Sequence, residues 1–187
     1  MSEANVISYN NIFKVINSFI IMNFQFYVEK LKASEDYKKF MKENKETFPC
    51  SCFFIIDKEE GKDKQHFDFF ISSSNKMFSF QLENNAEMTP VDVKEQKVPV
   101  KISLEHDFDF KEIEKMIEDR MSEEKIDKRI QKILLSLQNV DGRDYFIGTI
   151  FITQFGLINA TIDIEKKEIV DFKKRTFFDM MNVLGKK

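Results

Sequence analysis

A chain of 187 residues with 42% apolar side chains is long enough to bury one sizeable core or two small ones, and this composition excludes an intrinsically disordered protein. Its net charge of -3, drawn from 29 basic and 32 acidic side chains, describes a mixed solvated surface rather than the basic stripe of a nucleic-acid binder. Twenty-one Phe and 4 Tyr without Trp, beside only 5 Gly and 3 Pro, call for a Phe-packed core with short loops.

The opening residues MSEANVISYNN lack the positive region, apolar run and cleavage site of a secretory signal, so the cytoplasm is the expected location. From Asn11 to Leu31 apolar residues recur at Ile12, Ile16, Phe19, Ile20, Tyr27 and Leu31, which is helical spacing, with further apolar residues on neighbouring faces. Lys14, Asn17, Ser18, Asn23, Gln25 and Glu29 interrupt this run, whereas a membrane span needs about twenty mainly apolar residues. No membrane partner is expected. Ser34 opens a further helix with Tyr37, Phe40 and Met41 on one side, ending at Pro49 at the latest. CSCFFIID, HFDFFISSS and KMFSFQLENN then read as three strand-forming runs, separated by the polar turn KEEGKDK around Gly61 and by SSSNK.

Beyond Pro90 and Pro99, VPVKISLEHDFDF is expected to hold another strand. Phe110, Ile113, Met116 and Ile117 make a short helical stripe. Ile126, Ile130, Ile133, Leu134 and Leu137 make a second and stronger one after Ser122, an N-cap followed by two acidic residues that suit the helix dipole. Gly142 ends that helix, and YFIGTIFIT, LINATIDIE and EIVDFK read as three closing strands.

The two halves parallel one another. SEDYKKFMKEN from Ser34 matches SEEKIDKRIQK from Ser122, and FSFQLENNAEMTPVDVKEQ matches NATIDIEKKEIVDFKKRT, with Leu82 opposite Ile164 and Val93 near Phe172. The expected fold class is α+β, built as tandem helix-plus-antiparallel-meander repeats over residues 1–100 and 101–187, each helix covering about three strands. The second half, through SEEKIDKRIQKIL, YFIGTIFIT and ATIDIEKKEIVDF, resembles a PepSY-type, cystatin-like helix-on-sheet domain. The final hairpin carries the resemblance: Asp163, a polar corner, then Glu168, Ile169 and Val170, with Lys167 where that family commonly has Gly. It spans about residues 120–173 and, less closely, about 34–95. The resemblance implies an inhibitory or regulatory binding module, a type often found outside the cytoplasm, and no catalytic residue.

No chemistry competes with that reading. Cys50 and Cys52 are expected on one face of a strand, too few for a metal site and no disulfide framework. His66 and His106 have acidic neighbours; His106 with Asp107 and Asp109 fits a metal or acid–base cluster, and equally the acidic start of a helix. Gly61, Gly142, Gly148, Gly156 and Gly185 are too scattered to cradle a phosphate. No catalytic, cofactor-binding or metal residue is therefore assigned, and no cofactor is expected. The surplus of large apolar side chains marks Phe19, Tyr27, Phe177, Phe178 and Met181 as an interaction surface. The expected function is a non-enzymatic protein-binding or regulatory module, acting through an apolar surface and sheet edges on a protein partner or in a homodimer. The alternative is a small-molecule carrier or enzyme with a Phe- and Met-lined pocket between helix and sheet.

Overall fold

Asn23 starts the first helix by accepting a hydrogen bond from Phe26 N at 2.9 Å, and α1 (Phe24–Ala33) buries Phe24, Tyr27, Val28 and Leu31, one stripe at three- and four-residue steps. This is a computed structural model that describes residues 23–92 and 98–176, so the expected helix before Asn23 lies outside the described residues. Ser34 serves two helices: its N–H bonds Leu31 O at 3.0 Å to close α1, and its Oγ accepts from Tyr37 N at 3.2 Å to open α2 (Glu35–Glu43). A single residue thus makes both caps.

Two antiparallel meanders follow. The first is β1 (Thr47–Asp57), β2 (Lys64–Ile71), β3 (Lys76–Gln81) and β4 (Glu87–Val91); the second, after α3 (Phe110–Glu123), is β5 (Ile130–Val140), β6 (Arg143–Ile152), β7 (Gly156–Asp163) and β8 (Glu168–Thr176). Their first strands pair with each other, Phe54 opposite Leu135, so the order in one eight-stranded sheet is β4-β3-β2-β1-β5-β6-β7-β8. Each meander has four strands rather than three, because Glu87–Val91 pairs with β3 in the first and Ile130–Val140 pairs with β6 in the second.

The strong apolar stripe after Ser122 is not a helix. It is β5, a central strand, and a register shift explains the resemblance to helical spacing: the bulge between Ile130 and Lys132 makes one three-residue step from buried Ile130 to buried Ile133. From there Ile133, Leu135 and Leu137 alternate as a strand should, and Leu134 faces the other side between Ile55 and Thr149. Ser122 caps nothing; it sits in the last turn of α3 and its Oγ donates to Glu118 O at 3.0 Å. The parallel between Ser34 and Ser122 therefore joins a helix start to a helix end. In the second parallel, β3/β4 and β7/β8 each close their meander, and Leu82 and Ile164 are both buried just past a strand end. Val93 lies outside the described residues.

The expected strand in VPVKISLEHDFDF is absent. Residues 98–108 run as an irregular crossover held by side chains and by backbone bonds from Ile102 N to Pro49 O at 3.0 Å and from Phe24 N to Phe108 O at 3.2 Å, with Ile102 and Phe108 inserted into the core. Gln25 Nε2 donates to Leu104 O at 2.8 Å and to His106 O at 3.1 Å, satisfying carbonyls that no strand partner reaches.

All three helices contribute to a single apolar cluster with one alternate set of side chains from the sheet. Phe54 is at its centre, with ring centroids 6.0 Å from Phe24, 5.8 Å from Phe67, 4.7 Å from Phe110 and 6.2 Å from Phe146. These rings belong to α1, β2, α3 and β6, so both meanders share this core.

Candidate functional site

Two histidines suggested chemistry, and each has a structural partner. His106 does not converge with Asp107 and Asp109; its Nε2 is 2.9 Å from Asp144 Oδ2 at the start of β6. Asp144 is buried, and it also accepts from Ser103 N and from Asn139 Nδ2, both at 2.7 Å. The group anchors the crossover to the sheet. Asp109 accepts from Lys111 N at 2.8 Å and is the N-cap of α3. His66 Nε2 lies 2.8 Å from Glu83 Oε1. Among the described residues no group of three His, Cys, Asp or Glu side chains could hold a metal ion.

The cysteines are free but do not share a face. A register shift between Pro49 and Ser51 turns Cys50 toward Met77, 3.7 Å away on the side opposite α1, α2 and α3, whereas Cys52 enters the core opposite Phe67. Burial first, then the Asp68 charge, pushes the Cys50 thiol up to about 12, and the same causes raise Cys52 well above the ordinary range. Both are poor nucleophiles.

Because α1, α2 and α3 pack on one side, the opposite side of the sheet carries Phe53, Ile55, Leu134, Ile147 and Phe151, with no helix across it among the described residues. Register puts Phe53 and Ile147 either side of Ser136, and Ile55 next to Leu134, so these side chains form adjoining cross-strand rows. Ile147 and Phe151 are 37% and 38% exposed, although they lie on a central strand. The sheet edges are guarded differently. Pro90 lies within β4, which is only 5 residues long, and removes one edge N–H, and Lys173, Lys174 and Arg175 line the end of β8.

The β6–β7 hairpin tip departs from ordinary turn chemistry. In the three-residue connection left by the pairing of Ile152 with Gly156, Gln154 and Phe155 both take positive φ, +65° and +56°, where bulky L residues are strained. Phe155 is 81% exposed there. Replacing the pair by Asn-Gly is expected to raise stability by about 1–2 kcal/mol, read by urea denaturation, because each bulky left-handed residue is strained. An unchanged midpoint would show that the turn is relaxed.

A cleft of about 270 Å³ opens where the β1–β2 turn meets the start of α3. Tyr27, Phe54 and Phe110 form its apolar wall, and Asp57, Asp63, Asp109 and Glu114 stand around it with Lys58 and Lys111. Bonds from Glu60 N at 2.9 Å and from Lys132 Nζ at 3.0 Å hold the Asp57 carboxyl below the usual carboxylate range. Tyr27, expected on an exposed interaction surface, is buried and pushed up to about 12, mainly by burial and then by the Asp63 charge. Phe19, Phe177, Phe178 and Met181 lie outside the described residues. The open-face residues were passed over because YFIGTIFIT is apolar at both parities; the signal was that Ile147 and Phe151 repeat at odd positions while Phe146 and Ile150 occupy the core.

No protein-family model matches the chain, the PepSY type included. No curated protein matches it. Among solved structures it is similar to a presumed lipoprotein from Clostridium difficile 630, with a TM-score of 0.50, 10% sequence identity and coverage of 75% of this chain and 91% of that one. At this identity the likeness concerns the α+β fold alone. Among the described residues, no helix is long and apolar enough to cross a membrane.

Proposed function

We propose that this chain is a non-enzymatic protein-binding module that associates through the face of its sheet opposite α1, α2 and α3, with a second copy of itself as the occupant. The observation that carries the reading is the cluster of Phe53, Ile55, Leu134, Ile147 and Phe151 on central strands. Sheets stack face to face at about 10 Å, and a second copy supplies a surface of the same twist and apolarity. The guarded edges favour contact through the face over strand addition. The candidate acid–base groups are engaged in structural contacts, which supports a role without chemistry. We further read the two meanders as tandem PepSY-type units, on the strength of their matching closing hairpins, and we place the protein in the cytoplasm, where free thiols persist.

Sedimentation velocity tests the association. The native chain should sediment as a dimer, and the Ile147→Asp/Phe151→Asp variant as a monomer that melts within a few degrees of it, since both sites are partly exposed. A native monomer, or a variant that remains dimeric, would count against this reading. A second reading, a carrier of a small molecule, is favoured by the cleft beside Phe110.

A further inference from the structure

We infer that the cleft between the β1–β2 turn and α3 takes a quaternary ammonium head group, an inference that rests on the carrier reading and names its ligand class. At about 270 Å³ the space lies just below the usual size of a drug-sized pocket, about 300–1,000 Å³, and suits a head group rather than a large molecule. Tyr27 and Phe110, 7% and 8% exposed, border it 5.7 Å apart, with the buried ring of Phe54 behind them at 4.7 Å from Phe110 and 5.9 Å from Tyr27. Ring faces attract cations, and a weakly hydrated quaternary ammonium loses the least water on leaving solvent.

The charges around the cleft agree. Lys58 is engaged by Glu114, and Asp57 by Lys132 at 3.0 Å. Asp63 Oδ1 accepts from Asp57 N, and Asp109 Oδ1 from Lys111 N, both at 2.8 Å; among the described residues neither carboxylate has an ion-pair partner. Two carboxylates therefore remain opposed by one cation, Lys111, beside an aromatic wall. The Asp63 charge reaches that wall, since it adds to burial in raising the Tyr27 phenol. An anion would meet repulsion here, and a neutral group would gain burial alone.

The test uses the full chain labelled with nitrogen-15 and two probes, choline and its neutral isostere 3,3-dimethyl-1-butanol. Choline is expected to shift the amides of Gly61, Asp63 and Lys111 and to bind about ten-fold more tightly than the isostere. Asp63→Asn, which keeps an oxygen for Asp57 N, should weaken choline about five-fold, and Lys111→Gln should strengthen it by a similar factor. Both positions are exposed, so the fold should survive both changes. Equal binding of the two probes would overturn the ammonium inference and leave the carrier reading standing. So would binding indifferent to both variants. Absence of shifts with either probe would overturn both.

Discussion

Phe54→Ala is expected to cost about 3–5 kcal/mol, the range for removing a buried aromatic ring from a core that collapses only partly. Phe54 is 1% exposed and meets rings from two helices and from strands of both meanders. Against a total stability of about 5–15 kcal/mol, such a loss takes a large share. Urea denaturation should show one cooperative transition in the native chain and a single, earlier one in the variant. The cooperativity matters as much as the size, because β1 pairs β5 and the core is continuous. Two separate transitions, with only one moved, would mean that the meanders fold independently.

Asp144→Ala is expected to cost about 3 kcal/mol, since it leaves three partly buried donors without their shared acceptor. The three groups concerned are Ser103 N, Asn139 Nδ2 and His106 Nε2, at 2.7, 2.7 and 2.9 Å. Two of them belong to the crossover, which has no strand ladder to hold it. Thermal denaturation together with limited proteolysis gives the readout: Tm should fall, and cleavage should appear within residues 98–108 before it appears in the sheet. Asp144→Asn keeps one acceptor oxygen and should lose roughly half as much. Unchanged stability in Asp144→Ala would mean that Gln25, the backbone bonds of Ile102 and Phe108 and their burial anchor the crossover without the Asp144 group.

Local chemistry was legible where one signal acted. The helical spacing up to Leu31, the cap at Ser34, the turn around Gly61 and the strand runs CSCFFIID, HFDFFISSS and KMFSFQLENN follow directly from spacing and turn residues, although α2 already ends at Glu43 and β1 begins at Thr47, before Cys50. The α+β class follows from the same pattern. What failed was the stretch from Ile130 to Leu137, where a bulge converted strand alternation into a three-residue step that imitates a helix turn. A one-residue insertion in a ladder depends on the neighbouring strands, and β5 shows it only because both flanks are paired. A bulge likewise separated Cys50 from Cys52, which simple alternation puts together.

The candidate sites were less legible, for a related reason. Asp63, Tyr27 and Phe110 come from three distant stretches and meet only after the sheet is assembled. Ile147 and Phe151 are as apolar as their core neighbours, so the sequence does not say which parity the helices cover. Pairing β1 with β5 puts Ile147 and Phe151 on the same face as Phe53 and Ile55, and only then does an apolar strip appear.

The most direct test of the proposed association is an isotope-filtered NOE experiment on a mixture of labelled and unlabelled chains. Cross-peaks between copies should link the Ile147 methyls and the Phe151 ring to Phe53, Ile55 or Leu134. Cross-peaks confined to α1, α2 or α3, or none at a concentration where sedimentation shows a dimer, would contradict face-to-face stacking of the sheets.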